Sequence, residues 1–239
     1  MISSRLHRFA SAVLAAVPGY SRFRFRQLGG SAAYWDRRYR DNGDSGAGSY
    51  GRLAEFKAGV LNEFVEQRQI GSVVEFGCGD GNQLSLARYP RYLGLDVSPT
   101  AVRRCADRFG SDPSKSFLHY DPHAWSDRAG FVRADAALSL DVLYHLIEDD
   151  IYRLHLDHLF AAAGRFTVIY SSDTDEPAPT PHVRPRQFSR DVAARFPNFR
   201  LDSVLHFPGT TDFTSHHSGN TPASFYFYRR IDGPPGEGV

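Results

Sequence analysis

The residues that carry the most chemistry per position lie together at Glu75-Phe76-Gly77-Cys78-Gly79-Asp80-Gly81-Asn82, directly after the apolar pair Val73-Val74. A strand that runs into three alternate glycines makes a tight turn whose backbone can approach a ligand closely, because no Cβ intervenes. Dinucleotide sites usually space their glycines G-x-G-x-x-G and set a pyrophosphate on the helix that follows. Here the spacing is G-x-G-x-G, with Glu75 just before the loop and Asp80 inside it. Carboxylates at those points repel a pyrophosphate and suit a ligand with an amine or sulfonium charge, so the loop points to a nucleoside without phosphates. Asp96 closes the segment Arg91-Tyr92-Leu93-Gly94-Leu95. An acid at the tip of a second strand can accept both ribose hydroxyls.

Together these segments resemble the class I S-adenosylmethionine-dependent methyltransferases, whose first motif is similar to Glu75–Gly81 and whose second is similar to Leu95-Asp96-Val97-Ser98. The resemblance runs in motif order over roughly residues 31–230. It implies S-adenosyl-L-methionine as cofactor, S-adenosyl-L-homocysteine as product, and cofactor contacts at Glu75, Gly77, Cys78, Gly79, Gly81, Asn82, Asp96, Val97 and Ser98. Phe117-Leu118-His119-Tyr120-Asp121-Pro122 resembles the third strand and its terminal acid, which puts Asp121 near the adenine. Ala134 to Leu140 and the turn Asp141-Val142-Leu143-Tyr144-His145-Leu146 resemble the fourth strand and its exit. Upstream, Tyr34-Trp35-Asp36-Arg37-Arg38-Tyr39 and Gly46 to Arg52 resemble a bacterial subgroup associated with polysaccharide, glycolipid or natural-product pathways. That likeness implies that Arg37, Tyr39, Ser49 and Gly51 close over the methionine carboxylate, with a structural cap as the alternative.

A sulfonium methyl is already activated, so the protein mainly has to align the reactants and exclude water. A hydroxyl acceptor also gains from a general base, typically by 10²–10⁴-fold. Strand four ends in the crevice beside strand one, which sets Asp141 next to the methionine part of the cofactor. His145 follows four residues later and shares a helix face with Asp141 if the turn is helical. His145 is therefore the expected base, supported by Asp141, with His216 or His217 as replacements and with a purely packing role as the alternative. His155 and His158 are read as part of a solvated outer face, and no metal site is expected. Arg184 and Arg186 are candidates for a phosphate or carboxylate on the acceptor. Cys78 and Cys105 are read as reduced, small buried residues, which fits a cytoplasmic compartment. The expected reaction is methyl transfer to a hydroxyl of a small-molecule or glycan acceptor. Its rivals are a small-molecule N-methyltransferase and a cofactor-binding partner subunit without activity of its own.

The elements that must position these residues follow from periodicity. Apolar residues at Leu53, Phe56, Val60, Leu61, Phe64 and Val65 predict a helix over Leu53–Gln69. Strands are predicted at Val73–Phe76, Tyr92–Leu95, Phe117–His119, Ala136–Leu140, Phe166–Tyr170, Leu201–Phe207 and Ser224–Tyr228. The first five alternate with helical stretches, implying a parallel sheet with crossover helices. The last two have no helix between them and form an antiparallel pair at one edge. The fold class is thus α/β: a Rossmann-like doubly wound seven-stranded sheet, mostly parallel with an antiparallel edge strand, plus an N-terminal helical cap. Residues 1–30 form a basic amphipathic extension, 31–72 the cap, 73–230 the catalytic domain and 231–239 a flexible tail. The Pro-rich stretch from Asp173 to Arg186 follows the fifth strand and is a candidate lid.

Composition bounds the rest. The chain has 239 residues, 41% hydrophobic and 23% charged, with two Cys and no apolar run near the ~18 residues of a membrane span. Disordered, disulfide-scaffold and integral-membrane classes are excluded. The net charge of +1 hides an asymmetry. Arg5, Arg8, Arg22, Arg24 and Arg26 stand in the first 35 residues without any acid, leaving 23 basic against 27 acidic residues in the remainder. Bulk nucleic-acid binding is not expected of such a body. The basic N-terminal segment, with Ile2, Leu6, Phe9, Val13, Leu14 and Val17 at helical spacing, suits peripheral membrane contact or homodimer formation, or simple packing on the domain. Only Lys57 and Lys115 of the 28 basic residues are lysines, which is read as composition bias without mechanism.

Overall fold

A computed structural model describes residues 29–176, 178, 180, 182–208 and 221–231. The N-terminal amphipathic segment, His216, His217 and the tail lie outside them. The described chain forms α1 (Gly30–Arg40), α2 (Gly51–Gln67), β1 (Val73–Phe76), β2 (Tyr92–Asp96), α3 (Pro99–Arg108), β3 (Lys115–His119), β4 (Ala134–Leu140), α4 (Asp149–Ala162), β5 (Ala163–Ser171), α5 (Phe188–Arg195), β6 (Phe199–His206) and β7 (Ser224–Arg230). All seven predicted strands are present, each within a few residues of its expected bounds.

The sheet order is β3-β2-β1-β4-β5-β7-β6. β1 through β5 are parallel, and β7 runs antiparallel to both β5 and β6. β7 therefore sits one place in from the edge, which β6 occupies. The chain leaves β1 toward β2 on one side while β4 pairs on the other, so the crevice at the carboxyl ends of β1 and β4 is the switch point where such sheets bind ligands.

Two expected crossover helices are replaced. Between β1 and β2 there is only a short 3-10 turn at Leu84–Leu86, and no helix spans β3 to β4. α2 covers the first gap. Its stripe of Leu61 and Val65 packs with Leu84, Tyr89 and Tyr92, and Asn62 donates to the Leu86 carbonyl while accepting from Arg88 N–H. With that face of the sheet already occupied, the crossover has no apolar surface left for a helix to bury, and Pro90 denies the backbone donor a longer helix would use. The cap region and the sheet thus share one core. On the opposite face α4 contributes Leu156, Leu159 and Phe160 against Val74, Phe76 and Ala137.

Candidate active site

The glycine loop takes its shape from positive φ at Gly77 (+89°), Gly79 (+60°) and Gly81 (+75°). Its start is fixed when Gly77 N–H and Cys78 N–H both donate to the Leu95 carbonyl at 2.7 and 3.1 Å. A Cβ on Gly77 would stand 2.4 Å from Val142 Cγ2, and one on Gly79 2.3 Å from Ser45 Oγ. Glycine is thus required at both positions because Val142 and Ser45 pack where a side chain would begin.

The loop lines a cavity of about 320 Å³. Of the residues expected to hold a cofactor or act in transfer, Tyr39, Ser49, Glu75, Gly77, Cys78, Gly79, Asp96, Val97, Asp121, Asp141 and His145 line it. Gly81, Asn82 and Ser98 do not. Gly81 packs toward Phe109 and Cys105, Asn82 Nδ2 donates to the Ser49 carbonyl at 2.8 Å, and Ser98 Oγ caps α3 at Ala101 N–H while donating to Asp36. These three shape the loop and the cap from behind. Arg37 and Gly51 also lie off the cavity.

Asp96 is buried at the tip of β2, its two carboxylate oxygens accepting from Ser98 N–H at 2.8 Å and Gly79 N–H at 2.9 Å. Burial outweighs those donors and pushes its carboxyl up to about 6. Glu75 is 4% exposed and accepts from Tyr92 OH at 2.7 Å. Burial raises its carboxyl to about 7, against the lowering effects of Tyr92 and Lys57. Asp80, expected beside the ligand charge, instead ties the cap to the loop: Ser45 N–H and Tyr50 OH donate to one oxygen, Asn82 N–H to the other.

At the tip of β4, Asp141 adopts φ +59°, a left-handed conformation that a non-glycine residue holds only when its surroundings enforce it. Its N–H donates to the Tyr170 carbonyl at 2.8 Å, Tyr144 OH donates to one carboxylate oxygen at 2.6 Å, and Lys57 Nζ stands 2.5 Å from the other. Lys57 is 1% exposed and also lies 5.4 Å from the Tyr170 ring centroid. It lines the cavity and is absent from the sequence-based candidates.

That arrangement leaves the expected His145–Asp141 pair without a hydrogen bond and coupled only electrostatically. The Asp141 oxygens are engaged by Tyr144 and Lys57 and make no hydrogen bond to His145, so Asp141 acts on the imidazole through its charge alone, favouring the protonated form. His145 is held instead by the His182 carbonyl, 3.2 Å from Nδ1, and by the edge of Trp35 at a ring separation of 4.9 Å. A contact with a carbonyl requires the proton on Nδ1, so Nε2 keeps its lone pair. Burial pushes the imidazole down to about 4, so it is neutral at pH 7.

Other expectations change too. His155 is no part of a solvated face: α4 turns it into the sheet, where Nε2 lies 2.8 Å from Ser139 Oγ and the ring lines the cavity, neutral because burial drives it to about 3. His158 is bound to Tyr120 OH at 2.6 Å. Arg184 and Arg186 do not reach into the cavity. Both pair with Asp149 and donate to backbone carbonyls at Leu146 and Ile147, pinning the segment after β5 against the start of α4. Cys78 and Cys105 are free, buried thiols. Among the described residues no group of three or more His, Cys, Asp or Glu side chains is arranged to hold a metal ion, and no helix is long and apolar enough to cross a membrane.

No family model matches the chain. Over 106 residues it is 32% identical to EEF1A lysine methyltransferase 4 of Mus musculus, covering 43% of this chain and 39% of that protein, so it spans less than half the length of that relative. Among solved structures, the N-methyltransferase NodS from Bradyrhizobium japonicum in complex with S-adenosyl-L-homocysteine superposes with a TM-score of 0.64 at 17% identity, over 84% of this chain and 99% of that one. Magnesium protoporphyrin IX methyltransferase from Synechocystis with the same molecule bound gives 0.58 at 14% identity, over 84% and 95%. With the strand order, the reversed β7 and the glycine loop at the switch point, these likenesses identify the architecture: the chain has the fold of the class I S-adenosylmethionine-dependent methyltransferases.

Proposed function

We propose that this chain is an S-adenosylmethionine-dependent methyltransferase that acts on a hydroxyl of a small-molecule or glycan acceptor. The observation that carries the cofactor assignment is Asp96, buried in the cavity wall with each oxygen fixed by a backbone N–H and with the glycine loop Gly77-Cys78-Gly79 beside it. A ribose diol would donate its two hydroxyls to that carboxylate, and Asp121 and Val97 border the adenine end. The acids of the wall suit a cationic ligand. Glu75, Asp96 and Asp141 face one cavity, and these acids would hold the ammonium at the amino-acid end of the cofactor.

When bound, S-adenosylmethionine supplies an activated methyl on a sulfonium. The protein's own work is then alignment, exclusion of water and proton removal. α1 contributes by laying Ser31, Ala32, Trp35 and Tyr39 against the cavity, held down where Glu148 accepts from Ser31 N–H at 2.8 Å and from Ser31 Oγ. His145 takes the acceptor proton at Nε2 as its oxygen attacks, oriented by the His182 carbonyl. An imidazole that is neutral at working pH and lies in the cavity wall is free to accept that proton, although depressed to about 4 it is a weaker base than one poised near pH 7.

The test is calorimetric and chemical. Purified chain should bind S-adenosyl-L-homocysteine, Asp96→Ala should abolish binding, and His145→Ala should spare binding while lowering turnover by roughly 10²-fold or more, the contribution of a general base. Unchanged turnover in His145→Ala would favour an amine acceptor, which needs less help in losing its proton. Label from the methyl donor, followed by mass into a cell extract, identifies the acceptor. Its appearance in protein or RNA would refute the small-molecule assignment.

A further inference from the structure

The charges on the cavity wall are unequal. Glu75, Asp96, Asp121, Asp141, Glu148 and Asp150 line it, and Lys57 is the lone Lys or Arg among the lining residues. Lys57 is placed for one purpose. It enters from the apolar stripe of α2, one turn after Leu53 and one before Leu61, so its stem is packed and its ammonium is delivered to Asp141 Oδ2 at 2.5 Å. Tyr144 OH holds Oδ1, and the Gly48 backbone lies so close that a Cβ there would be 2.8 Å from Oδ2. The ammonium therefore cancels the Asp141 charge at the end of β4 where the reacting group sits under the proposed function.

That cancellation has a kinetic meaning. Methyl transfer converts a sulfonium into a neutral thioether, so positive charge at sulfur declines on the way to the transition state. Negative charge in the wall stabilises the bound donor more than the transition state, and ground-state stabilisation of that kind does not raise the rate. We propose that Lys57 sets the balance between charged donor and neutral-sulfur product, by neutralising Asp141 and thereby limiting how strongly the site prefers the sulfonium. Lys57 is in this sense a specificity-determining residue. The inference rests on the cavity being a cofactor site.

The experiment compares dissociation constants for S-adenosylmethionine and S-adenosylhomocysteine by calorimetry, on the full chain at pH 8.5. Lys57→Gln keeps a hydrogen-bond donor toward Asp141 and removes the charge. The ratio of the homocysteine to the methionine constant should rise on the order of tenfold, the effect of one uncompensated charge about 10 Å away at an effective dielectric of about 20. Lys57→Gln/Asp141→Asn is neutral again and should return the ratio to near the native value. Equal losses for both ligands in Lys57→Gln would overturn the proposal, as would a double variant that keeps the altered ratio, because either result makes Lys57 a packing residue only. If Lys57→Gln does not fold, Lys57→Met gives the same reading, and Asp141→Asn, which leaves the Lys57 charge uncompensated, should lower the ratio instead; an unchanged ratio there overturns the proposal. Native protein that binds neither ligand refutes the cofactor assignment itself, a result distinct from an unaltered ratio.

Discussion

Replacing Glu75 with glutamine should stabilise the ligand-free protein above neutral pH and leave it almost unchanged in acid. Glu75 is 4% exposed, Tyr92 donates its hydrogen bond, and the nearby ammonium of Lys57 is already engaged by Asp141. Burial raises its carboxyl from 4.5 to about 7. Between those values the folded protein holds a proton that the unfolded chain has released, so the native state binds more protons and stability falls as pH rises. The contribution is fully present below about 4.5 and lost as pH passes through about 7. A displacement of that size corresponds to about 3 kcal/mol, at about 1.36 kcal/mol for each tenfold change in proton affinity. The amide in Glu75→Gln would retain a carbonyl oxygen for Tyr92 and has no proton to lose. Urea unfolding of native protein and Glu75→Gln at intervals from about pH 4.5 to 8.5 should show the variant gaining on the native protein by about 3 kcal/mol across that range, or roughly 6–12 °C in Tm for a chain of this size. The difference is needed because His145 and His155, both depressed by burial, add stability in the opposite direction as pH rises. Two pH curves that stay parallel would show that Glu75 carries no raised carboxyl, and with it would go the picture of an acid waiting for a cationic ligand.

Three further outcomes follow from single contacts. Gly77→Ala meets Val142 Cγ2 at 2.4 Å and must hold φ +89°, so cofactor affinity should fall at least about tenfold in calorimetry, with about 1–3 kcal/mol of strain visible in Tm. Arg186→Leu removes the donor to the Leu146 carbonyl and the guanidinium packed 4.3 Å over Tyr152, and should cost about 2–4 kcal/mol in urea unfolding. Because the His145 imidazole is depressed to about 4, the transfer rate at saturating cofactor should fall as pH drops through about 4, and a His145→Ala variant that keeps that acid limb would exclude it as the base.

What could be read from the residues depended on whether a local pattern forced the answer. The seven strands were legible because apolar runs bounded by turn residues have few alternatives, and the glycine loop because glycine takes positive φ without the steric cost that other residues carry there. Asp96 and Asp141 were legible as residues at strand tips, since strand ends and not side-chain contacts decide where they lie. The missing crossover helices were not legible. Whether a segment such as Leu84 to Arg91 coils into a helix depends on free apolar surface, and α2, earlier in the chain, had taken it.

The same argument explains one cavity residue misassigned from the sequence, His155, and one read only as composition bias, Lys57. His155 stands in a helix whose charged neighbours, Arg153 and Asp157, suggest a solvated face, yet its own position on α4 alternates with Tyr152, Leu156 and Leu159, all buried. Helix phase placed it inside, and a partner on β4, Ser139, satisfies the ring nitrogen there. Lys57 had a clearer signal. It occupies the position between Leu53 and Leu61 on the buried stripe of α2, where a surface lysine would not be expected. The composition adds to this, since a chain with only two lysines among 28 basic residues uses arginine nearly everywhere else. A guanidinium is planar, broad and delocalised, whereas an ammonium is a compact point charge on a flexible stem. Next to a carboxylate already bonded by Tyr144 and backed by Gly48, only the smaller cation fits, so the lysine at 57 records the shape of the site as well as its charge. Lys57→Arg should accordingly keep the charge and still lose the fit, lowering Tm by several degrees while the donor-to-product affinity ratio moves far less than in Lys57→Gln.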